Sequence, residues 1–479
     1  MRSRGKLLLI AGVILSGLLL LWYARARPGL FSNTKYLGGI LLLELIGVAL
    51  WNYSRVFFPF LMAVFAWVAM DVPLSQSAGN PSRWVVLFFG AAAGCLLWMK
   101  KRRDQRLTLF HLMALFCVIS ALVSAVVSDS PDISLLKVLS LFMLFLYCTF
   151  GARFAIAGRE GAFIGGLVLV CEMVVYASAL SYLVLGKEVY GNRNALGAVI
   201  GVATFPVLAW AALATDNVGT KRRLTVCLLL SGFLLYFSSS RASLAGALVS
   251  GVILCLVTAQ QRALYRGAFL SALFLTFAAA VNPNGFADFL SAQTTAIVYK
   301  QGTSDKGVFA SREGPWKDTV ESIKKHPWFG SGFGTSDLGE TDDIETAHTH
   351  SLAGSNREHG NSYLAMAEYM GLVGILPFLG LILLTLRNVF KVCSWMRREH
   401  TLRSYVVPLT MLIIAGLVHA FFEDWLFAVG NYLCLYFWFC AFAVTDFVSR
   451  STASVPVTHY SPHHAWAARS RLAIPAIER

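Results

Sequence analysis

Runs of about twenty apolar residues recur along nearly the whole chain, each long enough to cross a ~30 Å hydrocarbon layer as a helix. Inside that layer every backbone N–H and C=O must be satisfied within the segment, so repeated runs of this length specify an all-α polytopic membrane protein. Composition agrees: 57% of the 479 residues are hydrophobic and 14% are charged. A soluble enzyme is excluded. The formal net charge of +14 does not argue for nucleic acid, because the basic residues cluster in short loops between apolar runs. There they orient the chain in the membrane.

KKRRDQR, Lys100 to Arg106, is the clearest cytoplasmic marker. Counting outward from it, GARFAIAGRE, TDNVGTKRR, QQRALYRG and KVCSWMRREHTLR fall on the same side. The hydropathy predicts fourteen spans, from 7–23 through 363–388, 406–422 and 427–447, with twelve or thirteen as alternatives because the first three are weakly bounded. MRSRGK followed by an apolar run and YARA imitates a cleavable signal, and the length of the run favours a retained first helix. Four regions follow: N-terminal membrane helices over 1–281, a long outer loop over 282–362, C-terminal membrane helices over 363–447, and a polar tail over 448–479 that reads as disordered. Nine cysteines lie in apolar runs or cytoplasmic loops, with no CxxC pair, so neither a disulfide framework nor a cysteine metal site is expected.

The same count places KEVYGNRNALG, the turn FSSSRASLAG and the long loop together on the outer face. Arg241 is the only charge between Leu224 and Ala259. Eighteen residues separate it from Arg223, roughly 27 Å of helix, which puts it at the outer hydrocarbon boundary. An arginine at that depth either snorkels to lipid phosphates or faces a functional cavity. Ser240 and its neighbours allow a tight turn, and a helix opening there would offer N–H groups to an anion. In the long loop, Pro315, Trp316, Val320 and Ile323 predict a short amphipathic helix stopped by His326-Pro327, with Arg312 just before it. GSGFG, Gly330 to Gly334, reads as a plain turn, since no lysine follows at phosphate-loop spacing. His348, His350, Asp342 and Asp343 have no ligand spacing, so no metal is expected.

His359, flanked by Glu358 and Arg357, sits just before an apolar run, hence at the membrane surface. A histidine beside a carboxylate is a candidate general base. Arg193 in the GNRN loop is either a phosphate contact or part of a capped loop. His419, Glu423 and Asp424 lie at the outer end of a late span, His419 and Glu423 sharing a helical face at i and i+4, and these with Ser240, Arg357 and Asn361 are candidates to orient a substrate; a structural polar cap is the alternative.

SSSRASL between two spans, the pattern from Arg312 through HPWFGSGFG, and HGNSYLAMAEYMGLVG running into a span together resemble the O-antigen ligase and O-antigen polymerase superfamily. The resemblance covers Tyr190 to about Pro377, and GNRNALG is similar to an Asn-x-Asn element of such proteins. It implies an all-helical glycosyltransferase of the bacterial inner membrane with its active site facing the periplasm. The implied donor is an undecaprenyl-diphosphate-linked glycan. The implied acceptor is a sugar hydroxyl on lipid A-core for a ligase, or at the end of another glycan for a polymerase. No cofactor is implied. The functional arginines of the superfamily correspond to Arg241 and Arg312, with Arg193 as a further diphosphate contact, and its histidine to His359, with Glu358 as orienter. Many relatives have His followed directly by Asn, whereas Gly360 intervenes here. A lipid-linked glycan flippase is the alternative from another class, but no internal repeat is visible and the candidate charges lie at one face.

Overall fold

The structure, a computed structural model, describes residues 34–70, 73–100, 107–186, 190, 193–281, 310–335, 359–399 and 401–451. The first expected span at 7–23, most of the long outer loop with His348 and His350, and the tail beyond 451 lie outside them, as do Arg357 and Glu358. The described elements are helical: α1 (Thr34–Trp51), α2 (Phe58–Ala69), α3 (Pro73–Lys100), α4 (Leu109–Val126), α5 (Pro131–Ile156), α6 (Glu160–Tyr182), α7 (Arg193–Ala214) and α8 (Val218–Ser238). After them come α9 (Arg241–Val257), α10 (Gln261–Val281), α11 (Ala310–Lys325), α12 (Ser362–Gly374), α13 (Leu376–Glu399), α14 (Val406–His419) and α15 (Tyr432–Ser451). This is an all-α, multi-pass membrane protein.

Among the described residues, seven helices are long and apolar enough to cross a membrane, or eight if the pair at α1 and α2, bent by 119°, is one span. That is fewer than the twelve to fourteen expected. Part of the difference is that α9 and α14 are shorter than a full crossing; the apolar run at 363–388 still supplies one span, α13, although it is not one helix. Gly371 breaks it, with φ 63° and ψ −176°. The backbone there turns aside to pair with the outer segment, Leu372 N–H donating to Pro327 O (2.8 Å) and Val373 N–H to Trp328 O (3.2 Å).

Helices α7 and α15 form the centre, with 72% of each span buried, whereas the other spans are 33% to 44% buried and keep apolar side chains outward for lipid. Helix α9 lies against α14, and a Cβ on Gly246 would sit 2.8 Å from Ala415 O, so only glycine permits this approach. Contacts sort the loops onto two ends. On the Lys100 end, Arg403 pairs with Asp216 and Arg153 with Asp446 (3.7 Å), while Trp210 Nε1 donates to Leu402 O (2.7 Å). At the opposite end, the chain around Ser128, the 238–241 turn, α11, the start of α12 and residues 420–431 converge.

Candidate active site

The turn before α9 follows from its serines. Ser239 adopts a left-handed φ of 51°, ending α8, and Ser240 is extended, so Arg241 becomes the first residue of α9. The hydroxyls are consumed inside the protein. Ser238 donates to Leu235 O (2.7 Å), and Ser240 Oγ meets Ser243 Oγ at 2.8 Å. Ser243 Oγ in turn lies 3.1 Å from His419 Nε2, and Trp425 Nε1 donates to His419 Nδ1 (2.7 Å). Both ring nitrogens of buried His419 therefore hold other protein groups. Ser240 and His419 thereby tie α9 to α14. Arg193 opens α7 at the same end, and a Cβ on Gly197 of that helix would meet Ser240 Cβ at 2.5 Å.

Helix α11 starts at Ala310, a turn earlier than Pro315 suggests, which puts Arg312 within it. Arg312 Nη2 donates to Glu423 Oε1 at 2.6 Å. The Arg312 charge reaches Arg241 and His419, so the two arginines lie at the same end of the bundle. Helix α14 ends at His419, and Glu423 lies beyond it in an irregular segment, so the expected i, i+4 helical face is absent.

His359 is fully buried, with its Nδ1 3.1 Å from Asp424 Oδ2 and its Nε2 3.1 Å from Glu368 Oε2. The His359 backbone N–H also donates to Asp424 Oδ2 (3.0 Å), and the Tyr369 hydroxyl lies 3.4 Å from Nδ1. Burial pulls the imidazole pKa down, but the hydrogen bonds to Asp424 and Glu368 and their charges outweigh it and hold it above its ordinary value. Burial pushes the Asp424 carboxyl up, and the His359 hydrogen bonds reverse this and hold it below the usual range. The carboxylates facing the histidine are therefore Asp424 and Glu368. Glu368 carried a signal in the sequence: it is the one acidic residue in the apolar run 363–388. Asp424 was visible only as part of the polar group with His419 and Glu423, and nothing pointed to its pairing with His359, 65 residues away.

Gly360 takes φ +61°, and a Cβ there would stand 2.7 Å from Arg312 Nη1. The residue inserted between His359 and Asn361 thus lets the guanidinium lie on the backbone beside the histidine. Asn361 caps α12, its Oδ1 accepting from Tyr363 N–H (2.8 Å) and Leu364 N–H (3.1 Å). Ser362 Oγ donates to Glu423 O (2.6 Å) and accepts from Leu426 N–H (3.1 Å), clamping α12 to the segment that carries Glu423 and Asp424.

The first half of the chain, legible only as hydropathy, supports this unit. Ser120 and Ser124 of α4 donate to Gly374 O (2.7 Å) and Tyr369 O (2.6 Å), and Ser128 donates to Ser331 O (2.9 Å). Ser134 donates to Phe333 O (3.1 Å), and Lys137 to Gly334 O. The GSGFG turn is bound in place: Ser331 N–H and Gly332 N–H donate to Glu368 O (3.0 Å) and Tyr369 O (3.3 Å), which leaves those groups no role in cradling phosphate.

Residues 226–379 match the O-antigen ligase family. The match supports placing this part of the chain with the O-antigen ligase and polymerase superfamily. The match takes in Arg241, Arg312, His359 and Glu368, while Glu423, Asp424 and the supporting serines lie outside it. The match supports, in general terms, an O-antigen ligase-like or polymerase function of glycosyltransferase type. No curated protein matches the chain.

Proposed function

We propose that this protein transfers a glycan from undecaprenyl diphosphate to a sugar hydroxyl as an O-antigen ligase, at the periplasmic face of the bacterial inner membrane. The observation that carries the reading is the meeting, at the bundle end opposite Lys100, of two arginines with a histidine–aspartate pair. The Lys100 to Arg106 cluster marks the Lys100 end as cytoplasmic, so the site, at the other end, faces outward.

In this mechanism Arg312 and Arg241, with Arg193 near the entrance, hold the diphosphate. As the acceptor oxygen attacks the anomeric carbon, the bond from that carbon to the phosphate oxygen breaks, and undecaprenyl diphosphate leaves with the electron pair. Fixed guanidinium groups stabilise the growing charge in a partly dry site. One-step attack opposite the leaving group inverts the anomeric centre, and the arginines carry the charge a metal otherwise would.

The hydroxyl proton passes to the His359–Asp424 pair. His359 has no exposed side chain, whereas 28% of Asp424 is exposed, so the proton enters by way of Asp424 and comes to rest on His359. A neutral imidazole carries one N–H and can donate to only one of Asp424 and Glu368; the arriving proton gives an imidazolium with an N–H toward each carboxylate, which makes the ring the proton sink. Glu368 holds the other ring nitrogen, and Glu423 holds Arg312 until diphosphate arrives. Glu358 and Arg357 precede His359 directly and are assigned orienting roles on that ground alone.

Deletion of the gene tests the assignment. Loss of long chains from lipopolysaccharide with accumulation of lipid-linked polymer is expected of a ligase. Single-repeat products would instead identify a polymerase, and unchanged polysaccharide would refute both. Full activity of purified Arg241→Ala and Arg312→Ala chains in vesicles would refute the site.

A further inference from the structure

Outside the membrane spans, four large apolar side chains stand together on the surface beside the site. Trp328 is 62% exposed and Leu372 55%, with Phe329 and Val373 next to them. They come from segments more than forty residues apart, joined rigidly by the Leu372–Pro327 and Val373–Trp328 backbone hydrogen bonds. A Cβ on Gly371 would lie 2.4 Å from the Trp328 carbonyl carbon, so glycine is what lets the two strips of backbone lie in contact. In water, this much exposed apolar surface would be costly.

The patch does not end where the segment ends. It runs into Leu376, the first residue of α13, and on through Leu379 and Leu383, exposed at helical spacing along a membrane span. Since α13 presents that stripe to acyl chains, the patch continues a lipid interface and lies at its edge. Lys324 and Lys325, both exposed, close α11 immediately before it. An aromatic pair with lysines at one border has the make-up of a membrane–water boundary, where indole rings settle and ammonium groups reach anionic headgroups.

We propose that Trp328, Phe329, Leu372 and Val373 form a wedge that inserts among the acyl chains of the leaflet on the side of the site, with Lys324 and Lys325 at its headgroups. Helix α11 is thereby fixed on the bilayer surface through the segment that follows it. Given the function proposed above, the wedge holds Arg312 at the depth where a lipid-linked diphosphate lies.

The test uses the full chain in vesicles of phosphatidylethanolamine and phosphatidylglycerol and needs no glycan, so it stands or falls apart from the transferase reading. Cysteine replaces Trp328 in one chain and Leu372 in another, each then carrying an environment-sensitive fluorophore, with the unsubstituted chain labelled in parallel as the blank. Because the two positions lie on separate segments, loss of one variant through misfolding leaves the other. The expected result is loss of emission to nitroxide on lipid acyl chains and none to aqueous iodide, with the reverse for Asp318→Cys on the exposed side of α11. Quenching of the wedge positions by iodide would overturn the proposal. So would shielding from both quenchers that disappears on dilution of the protein in the bilayer, which would mark a contact between copies.

Discussion

Replacing Gly360 with alanine tests the site through one methyl group. The new Cβ would sit 2.7 Å from Arg312 Nη1 and 2.9 Å from its Cδ, inside the ordinary contact distance of 3.4 Å. Relief requires the guanidinium to move by roughly 0.7 Å, and a displacement on the order of 1 Å of a positioning group costs up to ~100-fold in rate. Alanine at φ +61° adds about 1–2 kcal/mol of backbone strain. Gly314, also on α11, has no atom within 4 Å of its would-be Cβ and serves as the control. Single-turnover transfer of lipid-linked glycan in vesicles should fall ~10- to 100-fold for Gly360→Ala, with a lower unfolding temperature. Gly314→Ala should match the parent in turnover. If Gly360→Ala retained parental turnover and stability, the placement of Arg312 against this backbone would be refuted.

Asp424→Asn keeps the side chain's size but removes the charge that raises His359, so the acid limb of the pH–rate profile should move to lower pH while the plateau drops ~10²- to 10⁴-fold; an unchanged profile would exclude the pair as base. The same pair predicts the pH range of greatest stability. The raised His359 pKa contributes stability that is full below the ordinary imidazole value and lost as pH rises through the raised one. The lowered Asp424 pKa contributes stability present above the ordinary carboxylate value and lost as pH falls through the lowered one. Unfolding temperature in detergent should therefore peak between the two, and the peak should flatten in the Asp424→Asn chain. Glu423→Gln removes the carboxylate that competes with diphosphate for Arg312, so the donor KM should fall, by as much as ~10-fold for ~1.4 kcal/mol of released pairing; a raised KM would show that Glu423 orients Arg312 for the donor.

Much of this was legible before any coordinates, and the exceptions share a cause. Arg241 stood out because it interrupts an apolar run, and helix rise alone put it at a boundary. Arg312 and His359 stood out through local motifs. The partners did not: Glu423 lies 111 residues from Arg312, and Ser128 lies 203 from Ser331. Asn361, Ser240 and His419 looked available for a substrate, because a sequence does not show that a hydroxyl or ring nitrogen is already bonded to a neighbouring element.

Hydropathy and charge are properties of consecutive residues, and the bilayer reads them segment by segment. The sequence by itself therefore determined that the chain is an all-helical membrane protein and which loops share an end. Helix boundaries inside an apolar run depend on competing partners, so only the tertiary structure decided that Gly371 breaks the run at 363–388 in favour of pairing with Pro327 and Trp328. Packing likewise decided that the His359 ring lies between Asp424 and Glu368. Two carboxylates held 3.1 Å from one buried imidazole set its proton affinity, and no pattern along the chain encodes that distance.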